Sequence, residues 1–180
     1  SSKYKNLFIG KWLYSNFLNK RKLNIQFYDH DWLNKKKELK DFEDVKKIYI
    51  KVLKHLSFNL NNYHSKNYDT RQWELILFFF LYHYIPVVYD RWNIIKSINK
   101  KYKLKHIQLV SYDLQSFLCK KSTDVFDLIF SHEWNDWIIS EIIKDQKLDY
   151  FTYRSFKKKN IFKRKFERKK TKNLFRFKNN

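Results

Sequence analysis

Between Glu74 and Asp90 the chain carries no charged residue. LILFFFLYHYIPVVY, Leu75 to Tyr89, is a run of 15 mostly apolar and aromatic side chains. Such a run can be a membrane segment, a core helix with polar ends, or the wall of an active site. Length decides against the first, because a spanning helix needs roughly 20 consecutive apolar residues and this run is also interrupted by His83 and Pro86. From Arg71 to Tyr89 the pattern is apolar nearly all round, which predicts a helix buried on most sides. Pro86 offers no N–H and crowds the preceding turn, so it is expected to kink that helix or open its second half.

Other segments give shorter signals. Asn6 to Gly10, NLFIG, reads as a buried strand that ends on the only glycine of the chain, where a strand-to-helix turn would use a backbone without Cβ. Leu23 to Tyr28 alternates apolar and polar residues as a half-buried strand does. From Asp41 onward, Phe42, Val45, Ile48, Tyr49, Val52, Leu53 and Leu56 recur at the three-and-four spacing of an amphipathic helix. Lys105 to Tyr112 is a third strand candidate. Ser122 or Thr123 can cap a following helix, and Glu133 to Ile143 is helical with Trp134, Trp137, Ile138 and Ile142 on one side. Strands alternating with helices predict an α/β fold with a small parallel, Rossmann-like sheet, a large helical part and a basic C-terminal tail.

Charge and composition narrow the function classes. The 180 residues suffice for one domain with a real core. The net charge is +21, and it is uneven: residues 154–180 hold 13 Lys or Arg against one acid, a net +12, whereas residues 1–153 carry +9. We therefore expect an N-terminal domain at 1–153 and a flexible or helical basic tail at 154–180. The tail would be drawn to phosphate, in nucleic acid, in an anionic membrane or in a nucleotide-bearing substrate. Lys, Asn, Ile, Phe and Tyr abound while Gly and Pro occur once each and Ala is absent, which is the signature of AT-rich codons and weakens arguments from lysine richness. The chain does not begin with Met, which suggests a fragment or processed product. A single cysteine, Cys119, rules out an internal disulfide and suits a reducing, cytoplasmic setting.

The richest chemical constellation is LNNYHSKNYDTRQW, at the mouth of the apolar helix. With Asp69 or Thr70 as N-cap, the helix N-terminus favours an anion, and Arg71 would add a bidentate contact to phosphate or carboxylate. His64 would act as general acid or base, with Asn61 or Asn67 orienting substrate hydroxyls and Trp73 beside them. The same residues would also serve as hydrogen-bond partners for the end of a buried helix, and the residues alone leave both readings open. Asp90 and Arg91, in YDRW, are either a buried pair facing that cluster or a surface pair of little worth. Asp29 to Asp31 and His132–Glu133 match metal ligands only in residue type, so no metal is assigned. Walker, dinucleotide-glycine, serine-elbow and zinc-type cysteine patterns are absent from the sequence.

In order along the chain, LFIGKWLYS (7–15), YDHDW (28–32), LNNYHSKNYDTRQW (60–73), YDRW (89–92) and HEWNDWIISEII (132–143) resemble the N-terminal part of the LIC-type transferases of bacterial surface-carbohydrate biosynthesis. Leu60, Asn61, His64, Arg71, Trp73, Asp90 and Arg91 match the family pattern position for position. The chain departs from it where Phe78, Phe79, Phe80 and Leu81 replace a Gly-Pro-Trp-Leu element and where Gln72 replaces a Tyr.

The resemblance implies an acceptor-side or accessory transferase domain, incomplete as given, with His64 and Arg71 catalytic. Gly10, Lys11, Asn61, Asn67, Trp73, Asp90 and Arg91 would bind substrate. By analogy with two-domain sugar transferases, Gly10, Lys11 and the 61–73 segment line the site at the carboxyl ends of strands. No cofactor is implied beyond a nucleotide-activated donor held mainly by a second domain; the partners are that donor and a glycan acceptor. Two alternatives remain: a basic nucleic-acid-binding protein, which would stack bases on its aromatic rings, and a module held by its tail at an anionic membrane, at the inner face.

Overall fold

A computed structural model describes residues 6–9, 25–28, 34–102, 104, 107–148 and 151–155. The expectations for Gly10, Lys11, residues 29–32 and the tail beyond Ser155 lie outside the described residues. The chain divides into two compact units, Ser1–Lys103 and Leu104–Asn180.

In the first unit, strands β1 (Asn6–Phe8) and β2 (Ile25–Phe27) pair in parallel with Asn6 opposite Ile25 and Phe8 opposite Phe27. Both fall where apolar runs predict them. Helix α1 (Lys35–His64) is 30 residues long and begins six residues ahead of the apolar periodicity. Its start is fixed by Asn34, whose side-chain oxygen accepts the N–H groups of Lys36 and Lys37 at 3.2 and 3.3 Å. The helix stops at Ser65, which adopts the left-handed conformation (φ 50°) and returns its N–H to the carbonyl of Asn61.

Helix α2 (Thr70–Lys101) follows at once, 32 residues long, and runs through Pro86 without opening. Leu53 of α1 with Leu81 and Ile85 of α2 form the centre of the hairpin core, flanked by Val45, Ile48, Tyr49, Val52, Leu56, Leu77 and Phe80. The four-residue recurrence of these positions on each helix is what lets the two faces interlock. A helix buried on most sides is not what forms, however. Leu75, Ile76, Phe78 and Tyr82 are 68%, 54%, 49% and 57% exposed, so α2 presents a second apolar face away from α1.

The second unit holds β3 (Ile107–Ser111), a 3-10 turn (Leu114–Phe117), helix α3 (Asp124–Ile129), helix α4 (His132–Asp145) and β4 (Phe151–Ser155). β3 and β4 are parallel, Ile107 opposite Phe151 through Ser111 opposite Ser155, and α4 packs on β3. Trp134, Ile138 and Ile142 are buried as their spacing predicts, Ile143 is buried as well, and Trp137 is only half-buried. Asn135 is buried among them because its Nδ2 donates to the carbonyls of Ile129 and Ser131, both at 2.8 Å, which closes the end of α3 against the start of α4.

The expected Rossmann-like sheet is therefore corrected. The described residues are mostly helical, and their strands form two separate two-stranded pairs, β1–β2 in one unit and β3–β4 in the other. Alternation of strand and helix signals is present, but strands of three and five residues build no common sheet.

Candidate functional site

The residues singled out between positions 61 and 73 are brought together by the turn joining α1 to α2. Asn61, in the last turn of α1, is its organiser. Its Nδ2 donates to the carbonyl of Tyr68 (2.7 Å), and its Oδ1 accepts both the N–H of Tyr68 (3.0 Å) and the indole N–H of Trp73 (2.8 Å). Trp73 is buried, and its one polar atom thereby has its partner. Asp69 caps α2: its carboxylate accepts the N–H of Gln72 (2.7 Å) while the Gln72 side chain accepts the N–H of Asp69 (2.8 Å), a complete capping box. The anion at this helix N-terminus is thus the chain's own Asp69.

His64 and Arg71 stand on this frame with solvent access. The His64 ring is exposed, set edge-on to Tyr63 with centroids 4.8 Å apart and tilted against Trp73 at 6.1 Å. Arg71, 72% exposed, donates to Glu74 at 2.5 Å, and Tyr49 of α1 donates to the other Glu74 oxygen at 3.3 Å. That half-buried Tyr49 hydroxyl is pushed above its ordinary range, by burial first and by the Glu74 charge second. Asn67 is exposed in the connection.

Asp90 and Arg91 do not share this place. Nineteen residues beyond Arg71 on one helix, they lie roughly 28 Å away at about 1.5 Å of rise per residue. They pair with each other, with side chains only 25% and 14% exposed, beside Tyr89. Tyr89 in turn donates its hydroxyl toward two carboxylates of α1, Asp41 at 3.2 Å and Asp44 at 3.3 Å. Burial, with those two charges, raises the Tyr89 hydroxyl above its ordinary value, although a hydrogen bond from Asn93 works the other way. This polar lock near the start of α1 has no spacing that sequence alone relates to Tyr89, since it joins residues 45 and 48 apart.

A third cluster forms where β3 ends. The Tyr112 hydroxyl donates to Asp136 at 3.4 Å, with the Tyr112 ring edge-on to Phe117 and Phe117 tilted against Trp137. Burial, then Asp136 and Glu133, drive this hydroxyl far above its ordinary range and keep it neutral. Burial, then the Asp124 charge, likewise push the Cys119 thiol above its ordinary value. Among the described residues no group of three or more His, Cys, Asp or Glu is placed to hold a metal ion, and no helix is long and apolar enough to cross a membrane.

The hairpin turn brings Asn61, His64, Arg71 and Trp73 into one neighbourhood. The family model described as LIC12162 family transferase matches residues 1–180, and the chain belongs to that family of transferases. No curated protein and no solved structure matches it.

Proposed function

We propose that this chain is the N-terminal, acceptor-side or accessory part of a transferase of bacterial surface-polysaccharide biosynthesis, and that the α1–α2 turn contributes to its site. The observation that carries the reading is the family match over residues 1–180. The geometry supports a division of labour. Asn61 and Trp73 form the frame, while His64 and Arg71, both exposed, meet substrate. In transfer from a nucleotide-activated sugar, the acceptor hydroxyl oxygen bonds to the anomeric carbon as the bond from that carbon to the diphosphate oxygen breaks. His64 takes the hydroxyl proton, and Arg71 exchanges Glu74 for the departing phosphate, a planar fork on an anion.

The test uses the protein expressed from its whole reading frame, supplied with labelled nucleotide sugars and the host's surface-glycan fraction. Label should enter the glycan, and His64→Ala should lower the rate by about two to four orders of magnitude with an unchanged unfolding midpoint. No incorporation from any nucleotide sugar, or full activity in the His64→Ala and Arg71→Ala variants, contradicts the proposal.

A further inference from the structure

Helix α1 turns one face away from the hairpin core, and that face is almost wholly lysine. At about 100° per residue, Val45, Tyr49, Val52, Leu53 and Leu56, which pack at the core, share one side of the helix. The opposite arc, about 60° wide, holds Lys36, Lys40, Lys47, Lys51, Lys54 and Phe58, every one of them exposed. From Lys36 to Lys54 this is a straight row about 27 Å long at 1.5 Å of rise per residue. Phe58, 66% exposed, stands one turn further on.

AT-rich codons set how many lysines the chain has, but not that five of the eight in α1 share about a sixth of its circumference. Lys36 and Lys40, Lys47 and Lys51, and Lys51 and Lys54 are like charges one turn apart, which repel and weaken a helix. The row therefore costs the helix stability rather than supplying it. Among the described residues the acid that approaches it is Asp44, at one edge, 3.9 Å from Lys47 and also an acceptor for the Tyr89 hydroxyl. Exposed Glu43 flanks the other edge.

The make-up of the row selects its partner. Single-stranded nucleic acid is held on several aromatic rings within a basic groove, whereas this is a convex ridge with one ring. Helix α1 also contains no arginine, the residue whose planar fork grips phosphate through two bonds. A helix lying in a membrane interface needs an apolar face, and this arc has Phe58 alone. A linear glycan bearing negative charges asks for neither: ammonium groups in line meet its charges, and Phe58 offers a ring to the apolar face of a sugar. The row leads towards the α1–α2 turn, with Phe58 six residues before His64, about 9 Å of rise.

We infer that the lysine row of α1 is a track for a linear, negatively charged glycan whose end is delivered to His64. His64 lies about 120° round the helix from Phe58, so it meets the end of the bound chain and not its body. This rests on the transferase reading and names the class of its acceptor, an acidic polysaccharide.

The test uses the full chain, tail included, with oligogalacturonate as the probe and calorimetric titration as the readout. Lys47→Gln with Lys51→Gln and Lys54→Gln should weaken binding by roughly tenfold, as expected for three exposed charge contacts. Lys157→Gln with Lys158→Gln and Lys159→Gln removes the same charge from the tail and should change binding little; circular dichroism checks both folds. In the protein from the whole reading frame, the α1 triple should raise KM for the host's surface-glycan fraction at unchanged kcat. Equal losses from the two triples, no binding of oligogalacturonate, or a fall in kcat at unchanged KM would overturn the inference. So would tighter binding of a single-stranded oligonucleotide or of phosphatidylglycerol vesicles that the α1 triple abolishes. Absence of sugar transfer in the unsubstituted protein contradicts the transferase reading alone, because the titrations of the two triples decide the track without it.

Discussion

The two ends of the α1–α2 hairpin are both polar, and their polar residues are used in different ways. At the connected end, Asn61 ties Tyr68 and Trp73 into one small knot and leaves His64 and Arg71 facing water. Towards the open end, Tyr89 reaches across to Asp41 and Asp44, and Asp90 is taken up with Arg91. One end couples a closed frame to exposed side chains; the other locks two helices together. Polar residues in one helix do not make one site merely because they lie at its two ends.

The sharpest way to break this contrast is at Trp73. Replacing it with Ala should cost about 3–5 kcal/mol, the range for deleting a large buried aromatic, read as a lowered denaturation midpoint, because its indole is 6% exposed and hydrogen-bonded. Asn61→Ala leaves the Trp73 and Tyr68 N–H groups without their acceptor and should cost about 1–3 kcal/mol. Asp69→Ala, which removes the capping box, should cost about 1 kcal/mol. If Asn61→Ala were silent in chemical denaturation, the frame would not be the one described.

Hydroxyl titration compares the two ends directly. Tyr49 and Tyr89 hold protons more tightly folded than at the ordinary value of 10.0. Above that pH the unfolded chain has released protons the folded chain keeps. Stability from these groups is therefore full below pH 10.0 and lost as pH rises through the folded values. Tyr89→Phe and Tyr49→Phe should each flatten the alkaline fall in unfolding free energy. A slope unaltered by both would place those hydroxyls in water. The smallest effect belongs to Arg71→Ala, at most about 0.5 kcal/mol for an exposed ion pair.

Much of this arrangement was legible in the residues. The β1 and β2 pieces, the α1 periodicity, the Asp69 cap and the buried side of α4 all follow from alternation, three-and-four spacing and capping chemistry. The sheet did not follow, because strand signals indicate extended segments and not which segments pair. β4 was missed because FTYRS runs into a basic stretch that reads as tail. Burial of α2 was overstated for a compositional reason: the same AT-rich bias that multiplies lysine also supplies Phe, Ile and Tyr, so apolar content outran the core available to cover it. Helix α2 also continues twelve residues past Tyr89 to Lys101, where Ile94, Ile95 and Ile98 are buried at the spacing of one helical turn. At the site, residue types and order were readable, but the triple use of the Asn61 amide was not, because it depends on a left-handed Ser65 that reverses the chain.

At the α1–α2 turn the proposed division is between a structural frame, Asn61 and Trp73, and the exposed His64 and Arg71. The most direct measurement is sugar transfer by His64→Ala in the protein from the whole reading frame, taken alongside its unfolding midpoint. A rate lower by about two to four orders of magnitude at an unchanged midpoint is the predicted result. An unchanged rate, or a loss of rate that only follows a loss of fold, contradicts it.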